Sequence, residues 1–330
     1  HSPNLRVETG CLVEKIEFDG KRATGVRFRQ NGDSKLARCR GEVILSAGAI
    51  GSAQLLLLSG VGPAAQLAEH GIAPVLDKPG VGENLQDHLQ LRMIHKVSGV
   101  TTLNETYRSL VRRGMMGLDY ALRRRGPLTM APSQLGAFTR SSPRYDRPNI
   151  QFHVQPLSLD KFGDPLHDFP AFTTSVANLR PASRGHVRLR DADPASKPMI
   201  QPNYLSSDED RQVAVDSIKV ARNIVAQPAL QVFRPIEYLP GDQVHNDDEA
   251  GLAKAAGDIG TTIFHPVGTA KMGRPDDPSA VVDERLRLIG VANVRVIDAS
   301  VMPTITSGNT NSPTMMIAEK GAMMVREEGR

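Results

Sequence analysis

The run Glu42-Val43-Ile44-Leu45-Ser46 is apolar at consecutive positions rather than alternate ones. A strand built from it carries hydrophobic side chains on both faces and has to be covered on both sides, which calls for an α/β core. It runs into Ala47-Gly48-Ala49-Ile50-Gly51 and then a helical stretch over 52–59. Strand, small-residue turn and helix let backbone N–H groups approach a phosphate. The same geometry also serves plain strand–helix packing, and the residues leave both readings open. A comparable passage closes the chain. Val294-Arg295-Val296-Ile297-Asp298 is a short strand ending in a carboxylate, and Pro313 stands where a helix over 314–326 can begin.

Between these ends the pattern changes. Residues 5–9, 12–18 and 23–28 alternate apolar and polar, and Asp19-Gly20 supplies a hairpin turn, so a β-meander is expected. Residues 106–125 space Tyr107, Leu110, Met115, Leu118 and Leu122 as one helix. Runs at 150–154, 172–179 and 186–189 predict an antiparallel sheet. A helix over 207–226 has Ser206 or Ser207 as its cap and acids in its first turn, and a shorter helix follows at about 247–257. Asn84-Leu85-Gln86-Asp87-His88 is dense in hydrogen-bonding groups, as an ordered loop or a substrate edge would be. The expected fold is α/β (α+β) in two parts. Residues 1–78 and 263–330 form one part, and 79–262 form the other, with an antiparallel sheet and flanking helices.

Composition excludes more than it selects. A chain of 330 residues with 40% hydrophobic and 23% charged content is ordinary for a globular protein. A formal charge of +4, with clusters only at Arg112-Arg113 and Arg123-Arg124-Arg125, gives no footprint for nucleic acid or a membrane surface, and those arginines read as the polar side of a helix. Cys11 and Cys39 alone indicate neither a disulfide framework nor a cysteine metal site, so a reducing, cytoplasmic setting is expected. No apolar run reaches the ~18 residues of a membrane span. The nine histidines lack ligand spacing and no metal is expected. Gly60-Val61-Gly62-Pro63-Ala64-Ala65 fits G-x-G-x-x-A but follows a helix, and Gly80-Val81-Gly82-Glu83-Asn84-Leu85 lacks the third small residue. A dinucleotide loop has to follow a strand and carry all three small residues, so neither is a credible nucleotide loop.

Chemistry concentrates late in the chain. Phe264-His265-Pro266-Val267-Gly268 fixes a histidine between a bulky aromatic and a proline, and Ser307-Gly308-Asn309-Thr310-Asn311 places amides in a loop before the last helix. A histidine and an amide on facing loops can hold a hydroxyl between them. A histidine in apolar surroundings can equally be a core residue, and these residues alone do not decide. A hydrolase built on His265 lacks a G-x-S-x-G elbow.

The segments Phe264-His265-Pro266-Val267-Gly268-Thr269-Ala270-Lys271-Met272-Gly273, Val296-Ile297-Asp298-Ala299-Ser300-Val301-Met302-Pro303 and Gly308-Asn309-Thr310-Asn311-Ser312-Pro313-Thr314 resemble the glucose–methanol–choline (GMC) oxidoreductases, nearest to the choline-dehydrogenase-like branch. Ser46-Ala47-Gly48-Ala49-Ile50-Gly51-Ser52 and Gly80-Val81-Gly82-Glu83-Asn84-Leu85-Gln86-Asp87-His88 resemble further segments of that family, in the family's order. The resemblance implies an FAD-dependent alcohol dehydrogenase, with hydride transfer from a small primary alcohol. By the same resemblance His265 takes the general-base position and Asn309 the second catalytic position. Asp298 and Ala299 would meet the ribityl–pyrophosphate region, Asn311, Pro313 and Thr314 the isoalloxazine, and Val13, Ser46 and Ala47 the adenine half. Family members open with a strand and a G-x-G-x-x-G loop that this sequence does not show. The expectation is therefore a C-terminal portion, 1–78 and 263–330 being parts of an FAD-binding domain, which needs an N-terminal partner half and is inactive alone. The alternative is a non-catalytic folded fragment serving as a binding or assembly module. The electron acceptor is open, with dehydrogenase favoured over oxidase by branch similarity. Choline would call for an aromatic or acidic cage, and with no Trp none is visible.

Overall fold

The fold was analysed in a computed structural model that describes residues 4–131, 133–161 and 163–329. The chain divides into two compact units, His1–Asp87 with Ser183–Asn203 and Phe264–Arg330, and His88–Ala182 with Tyr204–Ile263. Residues 79–87 and 183–203 thus belong with the first unit, although the sequence boundaries at 79 and 262 placed them in the second.

The first unit opens with an antiparallel meander, β1 (Cys11–Asp19), β2 (Arg22–Gln30) and β3 (Asp33–Arg38). The turn after Asp19 works because Gly20 takes φ 55° without a Cβ to obstruct it. Residues 5–9 alternate as expected but form no strand, and Leu5 and Val7 are exposed. The buried run forms β4 (Val43–Leu45), which pairs in parallel with β15 (Val294–Val296). Helix α1 (Gly48–Leu58) leaves β4, and α2 (Ala64–Glu69) lies between two short parallel strands, β5 (Val61–Gly62) and β6 (Leu76–Asp77). A core of Leu56, Leu57, Leu67, Val281, Val282 and Val296 is closed to solvent. Buried Arg295 on β15 is ion-paired to Glu42 at 2.5 Å, just before β4, and to Glu328 at the end of α8 (Asn311–Glu328). It thereby ties three distant stretches of sequence.

The run at 186–189 is a strand, β11 (His186–Arg188), but it does not join the sheet of the second unit. It pairs with β12 (Met199–Gln201) in the first unit. The segment reaches its place through non-local bonds. The N–H of Leu85 donates to Gly185 O at 2.9 Å and that of Val187 to Gly82 O at 2.6 Å. No local pattern announces such pairing.

The second unit is built on an antiparallel sheet, β13 (Ile236–Leu239), β7 (Leu89–Lys96), β10 (Ala171–Asn178), β9 (Ile150–Gln155) and β8 (Leu135–Thr139), with β14 (Gly260–Thr262) also paired to β7. One sheet face carries Leu91, Met93, Ile150, Phe152 and Val176 into a core completed by α5 (Asp208–Val225) and α7 (Glu249–Ile259). Ser207 caps α5 by accepting from the N–H of Asp210, and Asp208, Glu209 and Asp210 stand at the positive end of its dipole. A short α6 (Pro228–Gln231) follows α5. The single helix expected over 106–125 is two, α3 (Leu103–Arg108) and α4 (Leu110–Arg123). The break falls at Ser109, whose extended backbone and hydroxyl cap α4 by accepting from the N–H of Arg112.

Buried His95 makes this sheet acid-sensitive. Its Nδ1 lies 3.2 Å from Thr174 Oγ1, and its ring stacks on Phe172 at 5.2 Å. Burial lowers its pKa from 6.5 to about 4, against the opposing pull of Glu237, 3.9 Å away. The unfolded chain therefore binds a proton near pH 6.5 that the folded chain refuses until about pH 4. Stability is intact above that window and falls as pH drops through it, by on the order of 3 kcal/mol from this group. Urea unfolding at a series of pH values should show this limb in the parent protein and lose it in His95→Gln. An unchanged limb would assign the acid sensitivity elsewhere.

Candidate active site

His265 sits at the start of the third segment of the first unit, directly after Phe264, which holds a left-handed φ of 63°. Backbone in this region is costly for a bulky residue and persists only where the surroundings impose it. They do so on both sides. The N–H of His265 donates to buried Asp87 Oδ1 at 2.9 Å. Val267 and Gln86 exchange backbone bonds at 2.9 and 3.0 Å. Gly268 follows at φ 95°, where a Cβ would lie 2.5 Å from Asn84 O, so only glycine fits this turn.

The facing loop is fixed by the same short segment. Gln86 Nε2 donates to Pro303 O at 3.1 Å, and Gln86 Oε1 accepts from the N–H of Ile305 at 3.1 Å. Beneath both loops Val267, Met302 and Ile305 are buried together, with Ala299 and Ile317 packed against them. Two loops from separate stretches of sequence are thereby held in one geometry. His265 Nε2 lies 3.3 Å from Asn309 Nδ2. With the neutral ring protonated on Nδ1, the amide N–H donates to Nε2. Asn84-Leu85-Gln86-Asp87 is thus the brace of this site, read from sequence as an ordered loop without the role of Asp87. His88, next in sequence, belongs to the second unit, with Nε2 3.2 Å from Leu179 O.

The remaining predicted residues form three groups. Ser46, Ala47, Asp298 and Ala299 meet where β4 and β15 end. Ser46 Oγ donates to Ile297 O at 3.1 Å. Buried Asp298 is fully engaged. Its Oδ2 accepts from Gly48 N–H at 3.0 Å and Ser52 Oγ at 2.5 Å, and its Oδ1 from Ser300 N–H at 2.8 Å and Ser300 Oγ at 2.5 Å. Ala47 N–H donates to Ser52 Oγ at 3.1 Å. Asn311, Pro313 and Thr314 lie in the first turn of α8. Thr314 Oγ1 donates back to Thr310 O at 2.7 Å, and Pro313 lines an apolar cavity of about 340 Å³ with Met302, Met316 and Met324. Val13 stands apart on β1, half-buried opposite Phe28.

These details test the fit of a flavin dinucleotide. The turn into α1 does not offer its donors to a phosphate, because Ala47 and Gly48 N–H are bonded to Ser52 and Asp298. There the packing reading holds. The exposed Ser46 and Ala47 leave a backbone surface open beside that turn. Helix α8 has no side-chain cap on Thr310 and no acid in its first turn, so its N-terminus has an unopposed positive dipole end for an anionic group. The residues suit contact with a flavin at α8 and at Ser46–Ala47, without a phosphate cradle at α1.

The second unit has a surface that the sequence did not reveal. The sheet face opposite its core carries Gln90 on β7, His153 and Gln155 on β9, and Ser175 on β10, with Ser175 in register with His153. Gln90 Oε1, His153 Nε2, Gln155 Oε1 and Ser175 Oγ are buried and have no hydrogen-bond partner among the described residues. Burial also lowers the pKa of His153 below the usual histidine range. Buried polar atoms left unmet cost about 1–3 kcal/mol each, so this face is suited to receive a polar ligand. The signal was the alternation Leu89-Gln90-Leu91-Arg92-Met93, an apolar series on one face and a polar one on the other.

Comparison with known proteins adds the family. GMC oxidoreductase models match residues 1–90 and 181–318, the first of them the family's N-terminal model. The expectation of a C-terminal portion lacking the N-terminal FAD-binding segment is corrected to the extent that residues 1–90 match the N-terminal model. An alcohol dehydrogenase [acceptor] of Pseudomonas putida is 42% identical over 328 residues, covering 98% of this chain and 58% of its own length. Human mitochondrial choline dehydrogenase is 42% identical over 324 residues, with 98% and 54% covered. The chain therefore spans little more than half the length of these relatives. Among solved structures, a formate oxidase of Aspergillus oryzae RIB40, studied for FAD modification, superposes with a TM-score of 0.89 at 25% identity, over 96% of this chain and 60% of that one. A pyridoxine 4-oxidase from Mesorbium loti gives 0.84 at 26%, over 98% and 59%. With motifs, family models and fold in agreement, the chain belongs to the GMC oxidoreductase family.

Proposed function

We propose that this chain carries the catalytic pair of an FAD-dependent alcohol dehydrogenase of the choline-dehydrogenase-like kind, acting on a small primary alcohol. The observation that supports it most is the His265–Asn309 contact at 3.3 Å, made by loops that Asp87 and Gln86 hold from behind. A substrate hydroxyl takes the place of that contact. Its proton passes to His265 Nε2, the lone pair that Asn309 otherwise occupies. The Asn309 amide donates to the oxygen as negative charge grows there. Loss of that proton closes the C–O bond to a carbonyl as the carbinol hydride departs. Bound FAD supplies the acceptor for that hydride.

The residues assigned to hold it are Val13, Ser46 and Ala47 toward the adenine half, Ala299 beside the braced Asp298, and Asn311, Pro313 and Thr314 at the start of α8. The test is dye-linked oxidation by protein of the relatives' full length, with choline, simple alkanols and polar primary alcohols compared at equal concentration. Dye reduction with a primary alcohol is expected. No reduction with any of them, in flavin-loaded protein, would favour the binding-module alternative.

A further inference from the structure

Phe152 on β9 and Val176 on β10 belong to the core face of the second unit's sheet. By strand alternation Val154, Thr174 and Phe172 continue that face toward its end. Leu135 on β8 stands opposite Val154 and extends it further. Helix α5 ends at Val225, and Pro228 opens the four-residue α6, so the helical cover stops short of the end of the sheet. The gap is a cavity of about 360 Å³ lined by Val97, Val154, Phe172, Ile224, Leu230 and Phe233. It lies on the face opposite Gln90, His153, Gln155 and Ser175, and every residue lining it belongs to the second unit. Small-molecule sites typically measure about 300–1,000 Å³.

The polar groups of the wall define the occupant. Thr102, at the N-cap of α3, is 7% exposed, and its hydroxyl has no hydrogen-bond partner among the described residues. The other buried hydroxyl of the wall, Thr174 Oγ1, is taken by His95 Nδ1 at 3.2 Å. An unmet buried hydroxyl is costly, so a ligand oxygen that accepts from Thr102 is favoured. No charged residue lines the cavity, and an ionised head would be buried there unpaired. A carbonyl oxygen accepts without adding a proton, whereas an alcohol brings one that needs an acceptor of its own. We propose that this cavity binds an uncharged aliphatic carbonyl compound, its chain between Phe172, Leu230 and Phe233 and its oxygen accepting from Thr102.

The experiment is titration calorimetry with methyl heptyl ketone, set against nonanoate. The ketone has no carbinol hydrogen to lose, so its binding is independent of the proposed reaction. The chain is expected to bind the ketone about tenfold more tightly than the carboxylate, or better. Thr102→Val should weaken the ketone by about 3–10-fold, the worth of one hydrogen bond, and Thr102→Ser should bind it as the parent does. Glu105 accepts from the backbone N–H of residue 102 at 3.0 Å, a bond that valine keeps. Leu135→Asp, at an exposed position on the rim, should also weaken the ketone, and it tests the site even where the valine variant fails to fold. No ketone binding, equal binding of nonanoate, or parent affinity in Thr102→Val or Leu135→Asp would overturn the proposal. So would loss of ketone binding in protein of the relatives' full length, by assigning the cavity to an internal contact.

Discussion

In protein of the relatives' full length, His265→Ala should lower kcat for a primary alcohol by about 10²–10⁴-fold, the usual worth of a positioned general base. That is on the order of 3–5 kcal/mol of barrier. The loss should appear in kcat more than in KM, because the base acts on a proton that moves only in the transition state. The scaffold predicts that the damage is chemical rather than structural. Asp87 binds the backbone N–H of residue 265, and the Gln86–Val267 bridge is also backbone, so alanine keeps the loop in place. Added imidazole should restore part of the rate by entering the space left by the ring. An unchanged kcat would remove His265 from the reaction. A raised KM with kcat intact would make it a binding residue only.

Asp298→Ala should have the largest effect on the fold of the first unit. Four donors converge on this buried carboxylate, and three of them belong to Ser52 and Ser300, which are themselves closed to solvent. Alanine leaves these donors unmet where water cannot replace the oxygen. Hydrogen bonds to a charged group contribute about 1.5–3 kcal/mol each, and they do not add fully. A loss of about 3–5 kcal/mol in urea unfolding is expected. Asp298→Asn should lose less, since one oxygen still accepts and the Ser52 hydroxyl can turn to accept from the new amide. With Ser46, Ala47 and Ala299 assigned to the flavin as proposed, the consequence should reach the cofactor, since these residues flank this knot. Flavin should elute from the alanine variant under conditions where the parent retains it. A loss below about 1 kcal/mol would mean that β4 and β15 place that turn unaided.

How much of this was legible in sequence depended on whether a feature is local. The β1–β2 hairpin rests on one glycine, and α5 on a serine cap and an acidic first turn, so both could be read directly. The split between α3 and α4 had a local signal too, Ser109 as the cap of α4, but the helical spacing from Tyr107 to Leu122 masked it. The apolar side of α4 was read as ordinary helical periodicity, yet among the described residues Leu110, Leu118 and Leu122 stay exposed. The long-range features were beyond reach. The 183–203 segment joins the first unit by bonds to residues 82 and 85, and the α1 turn is closed by a carboxylate 250 positions away. His265 and Asn309 were paired through family motifs, not spacing, because the distance between them is set by Gln86, which belongs to neither loop.

The most direct test is rapid anaerobic mixing of flavin-loaded protein, of the relatives' full length, with a primary alcohol, following the loss of oxidised-flavin absorbance. The account predicts a single bleaching phase that His265→Ala slows by about 10²–10⁴-fold and Asn309→Ala by a smaller factor, with flavin content unchanged in both. Bleaching at the parent rate in His265→Ala would contradict the assignment of this pair. Flavin that no alcohol bleaches in the parent protein would contradict the proposed reaction itself.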